Sequence, residues 1–467
     1  MGGAGAARGA GGYVPEQRLA DESTTIIAGG TVVTGGRGPE FIEDGAVAIA
    51  GGVVREVGPS ARLGERYGDA ATIDAAGKLV MPGLINGHTH AYSALARGIV
   101  ADIAPATNFV EILEHLWWRL DRALRPSDVR VSSSVTAIDS IRNGTTTIVD
   151  HHASQAAVTD SLSEVAAGLE DVGIRANLCF EVTDRDGAKK RDEGLRENER
   201  FAAWAAGGGS AAGLSTASVG LHASFTLQDG TIERAVAIAR GRGIGCHVHA
   251  AEDRADVDDS LARSGKRVVE RLDSLGALGP KTVAAHCIHI DERERTILRE
   301  TQTCVAHNPQ SNMNNAVGCA DVPALLEGGV LVGLGTDGFS ASMFDEAKVA
   351  NLIHRHEAAD PRVGHDVAMR LLMDGNPTIA SRLCGRQVGR LEPGWAADVI
   401  VLDYDPPTPY VEGNFAGHFV FGLTGWMVET VIVGGRVIMR DREILTIDVD
   451  EVAAAARQRA RALWERM

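Results

Sequence analysis

Eight short apolar segments, each running into polar or ionisable residues, occupy the middle of the chain. They read LVMPGLINGHTH, TTTIVDHH, IRANLCFEV, SVGLHASF, IGCHVHAAE, TVAAHCIHI, TCVAHNPQS and VLVGLGTDG. Amphipathic stretches such as PSDVRVSSSVTAIDSIRNG, DSLSEVAAGLEDVG and TIERAVAIARGRG lie between them. Apolar runs too short for helices, alternating with helical periodicity, predict an α/β fold with a parallel sheet and helices outside it. Eight such units over Leu79–Gly338 match the roughly 250 residues of a (β/α)8 TIM-type barrel. A doubly wound open sheet is the structural alternative.

The flanks follow a different pattern. Thr24–Val57 contains TTIIAGGTVV, GAVAIAGG and VVREVG, and the far end contains ADVIVLDYD and VETVIVGGRVIMRDREI. These are short strands punctuated by glycine. Neither set can close a core alone, so the two are expected to pack together as one small β-sandwich built from both chain ends. The expected organisation is a disordered Gly/Ala-rich tail over 1–22, sandwich segments over 23–80 and 394–446, a hydrolase-type barrel over 81–393, and a C-terminal helix over 447–467.

Composition excludes several partners. Lys+Arg number 46 against 62 Asp+Glu, a net charge of −16, and nucleic-acid binding needs a basic face instead. The same balance gives no support to anionic membranes. No run of 18 apolar residues occurs, and the start lacks the apolar core of a signal peptide. The six cysteines stand apart with no CxxC, which fits reduced thiols and a cytoplasmic location.

The polar residues cluster where strands stop. His88 and His90 end the first strand, Asp150, His151 and His152 the second; the fourth carries His222. His247 and His249 end the fifth, with Glu252 three residues on; His286, His307-Asn308 and Asp337 end the sixth, seventh and eighth. Burying such groups is costly unless they share a site, and in a barrel all strand C-termini meet at one mouth. His88 and His90, two apart on a strand, point to the same side and can bind one ion together with His249, His286 or Asp337. Imidazole and carboxylate without thiolate suit Zn²⁺ or Fe²⁺. His247 is expected to face the helix layer and His289 to be structural. Two insertions follow strand ends: Asp102–Leu124, with Trp117 and Trp118, reads as a lid or oligomer contact, and Thr183–Ala212 as a lid or a solvated excursion.

In these motifs the chain resembles the amidohydrolase superfamily, in its metal-dependent aminohydrolase and chlorohydrolase (TRZ/ATZ-like) branch. The resemblance runs from about Thr24 to Glu443 and rests on Pro82-Gly83-Leu84-Ile85-Asn86-Gly87-His88-Thr89-His90, His249-Ala250-Ala251-Glu252, Ala285-His286-Cys287, His307-Asn308-Pro309-Gln310-Ser311-Asn312 and Gly335-Thr336-Asp337-Gly338. FVEILEHLWWRLDRAL and IVDHHAS look most like the SsnA-type aminohydrolases. The resemblance implies one divalent ion, Zn²⁺ or alternatively Fe²⁺, held by His88, His90, His249 and Asp337. It further implies that His286 orients the attacking water, Asp337 takes its proton and Glu252 protonates the substrate's ring nitrogen. Two-metal relatives need a bridging lysine at the fourth strand, where this chain has His222 and no lysine between Lys190 and Lys266.

The expected activity is hydrolytic deamination of an N-heterocyclic or guanidino small molecule at a C–N bond other than a peptide bond. Ring-opening hydrolysis of a cyclic amide or guanidine, or hydrolytic dechlorination, is the alternative; a catalytically inactive assembly protein is remote, since every ligand and both carboxylates are retained. Candidate substrate contacts are Tyr92, Trp118, Arg119, His152, Arg185, His222 and Asn308. The resemblance also implies a homodimer or higher homo-oligomer.

Overall fold

A computed structural model of the chain describes residues 24–364 and 366–467. The tail expected over 1–22 lies outside the described residues. The N-terminal strands are β1 (Thr25–Val33), β2 (Phe41–Ala50), β3 (Val53–Pro59), β4 (Ala71–Asp74) and β5 (Leu79–Pro82). The central ones are β6 (Leu84–Thr89), β7 (Thr145–His152), β8 (Arg175–Phe180), β9 (Ser215–Ala217), β10 (Val219–Ala223), β11 (Cys246–Ala250), β12 (Val283–His286), β13 (Cys304–His307) and β14 (Val332–Leu334). The C-terminal strands are β15 (Val399–Leu402), β16 (Val428–Val433), β17 (Arg436–Arg440) and β18 (Glu443–Ile444).

Both chain ends enter one sheet, in the order β18-β17-β16-β15-β5-β1-β2-β3 with β4 beside β1. The ends join where β5 and β15 run antiparallel, Val80 opposite Val401 and Met81 opposite Ile400. Ile27, Val32, Val47 and Val80 from one end share a core cluster with Val399, Val401 and Ile432 from the other. Each half alone would leave that apolar surface in water, at roughly 25 cal/mol per Å².

The central strands are parallel and form two arcs, β6-β7-β8-β9 and β10-β11-β12-β13-β14. β9 and β10 are one strand interrupted at Ser218, so the chain supplies eight parallel strands here. Single parallel bridges join the arcs, Thr89 to Asp337 on one side and Val182 to Leu221 on the other.

At each junction a buried asparagine takes the place of ladder hydrogen bonds. Asn376 accepts from the Leu334 N–H at 2.7 Å and donates to the carbonyls of Ile85 at 2.5 Å and Leu334 at 2.9 Å. Its amide reproduces the donor and acceptor of a peptide between β6 and β14. A Cβ on Gly333 would stand 2.3 Å from its Oδ1, so the approach requires glycine. At the other junction Asn198 accepts from the N–H groups of Phe180 (3.0 Å) and Gly220 (3.1 Å). It donates to the carbonyls of Phe180 (2.8 Å) and Gly194 (3.1 Å). Asn198 lies on the helix Gly187–Ala206; the segment read as a solvated excursion is therefore a covering helix with a buried face of Leu195, Phe201 and Ala202.

A buried ion pair ties the parallel strands to the terminal sheet. Arg175 at the start of β8 donates from Nε and Nη2 to the two carboxylate oxygens of Asp398, each at 3.1 Å. The Gly434 N–H adds a third bond to that carboxylate at 2.7 Å. Both side chains are 1% exposed.

Candidate active site

The C-terminal ends of the parallel strands bring His88, His90, His249 and Asp337 together, one ligand atom of each lying within 4.8 Å of every other. The backbone is shaped for this at Asp337 (φ 55°) and His286 (φ 71°), left-handed conformations that cost a non-glycine residue about 1–3 kcal/mol and gather at functional sites.

The hydrogen bonds behind the imidazoles settle where their lone pairs point. His90 Nδ1 faces the His151 carbonyl at 2.5 Å and His249 Nδ1 the His222 carbonyl at 2.8 Å. A carbonyl only accepts, so both Nδ1 atoms carry hydrogen and both Nε2 atoms present lone pairs. Those Nε2 atoms stand 3.2 Å apart, and the His90 one lies 2.9 Å from Asp337 Oδ1. His88 Nε2, buried and without a hydrogen-bond partner, is 3.5 Å from the same oxygen. Lone pairs converging on one point repel unless a cation sits among them, so the donor set fits a divalent ion. Burial lowers His88 to about 4 and holds His249 well below the usual imidazole range, keeping both in the neutral form that binds metal. Burial also pushes His90 down, but the Asp337 carboxylate outweighs it and lifts the ring to about 9. In the absence of an ion the cluster would bind a proton instead.

A second group, Glu252, His286 and Asp337, adjoins the first. His286 Nδ1 is fixed by Asn312 Oδ1 at 2.7 Å, which leaves its Nε2 3.5 Å from Glu252 and 3.9 Å from Asp337 Oδ2. Ser311 donates to Asp337 Oδ2 at 2.5 Å. Burial, followed by the charge of Asp337, raises the Glu252 carboxyl well above the usual range. Burial works in the same direction on Asp337, but the adjacent His88 and His90 imidazoles hold it well below. Two carboxyls with pKa values pushed apart can serve as acid and base in one site.

The cluster opens into a cavity of about 810 Å³. Tyr92, Trp118 and His222 line it together with Trp117, Phe109, Asp121 and Glu181. The Trp insertion thus forms the cavity wall, through a π-helical turn at Leu113–Trp117. Four other expected contacts lie off the wall. Arg119 donates to the carbonyls of Asp102 and Met467. His152 is held by Ser154 at 2.9 Å, and Asn308 donates to the Ala306 carbonyl at 3.3 Å. Arg185 is buried behind the wall and bonded to Asp121.

His247 corrects an expectation. It does not face the helices: its Nε2 meets His88 Nδ1 at 2.8 Å. Residues two apart on a strand share a face, so His247 and His249 both point inward, and the spacing alone carried that signal. His151, whose Nε2 donates to the carbonyls of Leu221 (3.1 Å) and His247 (3.2 Å), packs beneath the cluster. Ser311 and Asn312 belong to a motif quoted above, but the contacts they make depend on the short helix Pro309–Asn314 after β13.

The amidohydrolase family matches residues 79–438. A 5-methylthioadenosine/S-adenosylhomocysteine deaminase of Pelotomaculum thermopropionicum is 34% identical over 449 residues, covering 94% of this chain and 99% of the relative. A 5'-deoxyadenosine deaminase of Methanosarcina mazei is 32% identical, covering 91% and 95%. Among solved structures, an adenosine deaminase from Xanthomonas campestris with bound zinc superposes with a TM-score of 0.83 at 25% identity, covering 94% of this chain and 98% of that one. The match over most of its length, on the strands that carry the histidines and Asp337, shows that this chain belongs to the amidohydrolase family.

Proposed function

We propose that the chain is a metal-dependent hydrolase that deaminates a nitrogen heterocycle of the adenine type, releasing ammonia. The observation that carries this is the convergence of lone pairs from His88, His90, His249 and Asp337 beside a neutral Glu252, at the closed end of a cavity walled by aromatic rings. The named substrates of the relatives, 5-methylthioadenosine and 5'-deoxyadenosine among them, support it. In this reading one Zn²⁺, alternatively Fe²⁺, is held per chain by those four residues; zinc in the Xanthomonas neighbour supports the choice. When bound, such an ion lowers the pKa of water toward about 7.

The chain's own residues then divide the work. Asp337 turns Oδ1 toward the imidazoles and Oδ2 toward His286, so Oδ2 takes the attacking water's proton. His286, anchored through Asn312, orients that water from Nε2. Glu252 gives its proton to the ring nitrogen next to the attacked carbon. The C–O bond forms as the ring nitrogen is protonated; the proton taken up by Asp337 then passes to the exocyclic amino group, the C–N bond breaks and ammonia departs, and the new hydroxyl returns its proton to Glu252 as it becomes the carbonyl. Tyr92, Trp118 and His222 are the contacts proposed for the ring; Arg119, His152, Arg185 and Asn308 act from behind the wall.

Further parts of this reading are the joining of both arcs into one (β/α)8 barrel over 81–393, and a β-sandwich made by the terminal sheet over 23–80 and 394–446. The bridges at both junctions and the core shared by the two ends support them. A homodimer or higher homo-oligomer has support in the exposure of Phe421 (65%) and Trp426 (81%). No helix among the described residues is long and apolar enough to cross a membrane, and a cytoplasmic location is proposed. The test is metal content of the purified protein together with ammonia release from a panel of adenine nucleosides, triazines and cyclic guanidines. Two ions per chain would overturn the single-ion reading, and a ring-opened product without ammonia would replace deamination.

A further inference from the structure

A second cavity, of about 600 Å³, adjoins the first. His90, Trp117, Asp337, Gly338 and Phe339 line both. Asp337, the group assigned the attacking water's proton, therefore faces two spaces. The first is walled by aromatic rings, whereas Ser93, Ala94, Thr136 and Asp139 line only the second. Its outer end lies at the surface, where the exposed Arg97 donates to Asp139 Oδ2 at 2.7 Å. The neck between the two spaces is at Gly338. A Cβ there would stand 3.4 Å from Ser93 Oγ and 3.7 Å from Trp117 Cη2, ordinary contact distances. Ser93 and Trp117 thus leave room beside Gly338 for one group of methyl size, which fits water or ammonia and excludes an aromatic ring. Ser93 Oγ also lies 2.8 Å from the His90 carbonyl oxygen and 3.3 Å from that of Gly338. A hydroxyl carries one proton, so at any moment one of these carbonyls is open to a donor that passes.

Resting on the deaminase reading, we propose that the second cavity is a side passage, by which water enters and ammonia leaves while the heterocycle fills the aromatic cavity. Each turnover consumes one water and releases one ammonia, and the heterocycle occupies the way it came in. Without a second route, ammonia freed at the closed end waits for the product to leave. With one, it departs past Gly338 and Ser93, whose carbonyl and hydroxyl oxygens accept its N–H groups, toward Asp139 at the surface. The missing side chain at 338 then serves transport and not backbone shape, since Gly338 is not among the glycines of positive φ.

The test uses the zinc-loaded full chain with 5'-deoxyadenosine. Gly338→Ala adds a methyl at the neck, and Ala94→Leu narrows the second cavity from a wall that the aromatic cavity does not share. Zinc content, calorimetric binding of the deaminated nucleoside and the rate of a single turnover, read by rapid quench, should match wild type, because the first water enters ahead of the heterocycle. Steady-state kcat should fall at least roughly threefold in each variant, since release of ammonia then limits turnover. Added ammonium chloride should inhibit wild type even at saturating nucleoside, by re-entering past the bound heterocycle, and should inhibit both variants less. A kcat equal to wild type in both variants, a single-turnover rate that falls as far as kcat, or ammonium inhibition that saturating nucleoside abolishes would overturn the passage. If Gly338→Ala disturbs Asp337 and loses zinc, Ala94→Leu alone decides. Binding of the probe to wild type without ammonia in a single turnover would overturn the deaminase reading, and the passage with it.

Discussion

Replacing Asn376 by alanine should loosen the β6–β14 junction and weaken the ion site together, although Asn376 is not among the groups that would hold the ion. Its side chain makes three hydrogen bonds across the β6–β14 junction, at 2.7, 2.5 and 2.9 Å. Alanine leaves the Leu334 N–H and the Ile85 and Leu334 carbonyls buried with those bonds gone, and stranded buried groups cost about 1–3 kcal/mol each. The summed loss is on the order of 3–9 kcal/mol, a large part of the ~5–15 kcal/mol that holds a typical domain folded. Leu334 also leads directly into Asp337, whose N–H bonds the His88 carbonyl at 3.0 Å. Groups that orient a ligand typically change metal affinity by about 10–100-fold. Denaturant titration with and without chelator, and zinc affinity by competition with a chromophoric chelator, measure the two effects. Asn376→Asp should be comparably damaging, since it keeps the shape but turns a carboxylate oxygen toward two carbonyls. A variant that matches wild type in both midpoint and zinc affinity would refute the idea that this amide holds the junction.

Glu252→Gln should retain the ion and lose about 10²–10⁴-fold in kcat, the usual weight of a general acid–base group; metal analysis with ammonia release checks it. Asp337→Asn should lower ion affinity and rate together. Because Glu252 acts as the protonated acid and its carboxyl is raised by burial and by Asp337, turnover should be retained at neutral pH and fall as pH rises through that raised value; a rate that climbs steadily into alkaline pH would count against it. Arg175→Met should cost about 3–5 kcal/mol by leaving the Asp398 carboxylate buried without its cation, whereas Arg175→Met with Asp398→Leu should recover much of the loss, both read by chemical denaturation.

The polar strand ends were legible because apolar strands that stop at His88, His90, His249, His286 and Asp337 have few other ways to bury those groups. The same pattern, read strand by strand, implied adjoining parallel strands without showing what holds the two arcs together. Asn198 and Asn376 are unremarkable polar residues inside helical sequence; only the approach of two strands gives each amide its partners. Arg185 pairs with Asp121, which lies 64 positions away on a helix whose placement sequence alone does not give. His247 was misassigned despite a spacing that identified its face.

The pairing of β5 with β15 sets a timetable for synthesis. When Leu79–Pro82 leaves the ribosome, its partner strand, Val399–Leu402, is still about 300 residues from being made. At about 5–20 residues per second, that edge and the apolar face of Ile27, Val32 and Val80 stay without their final neighbours for roughly 15–60 s. During that interval the first strands resemble an unfinished sheet, the kind of surface that holdase chaperones cover. Expression yield of this chain should therefore depend on elongation speed and chaperone supply more than its equilibrium stability would indicate.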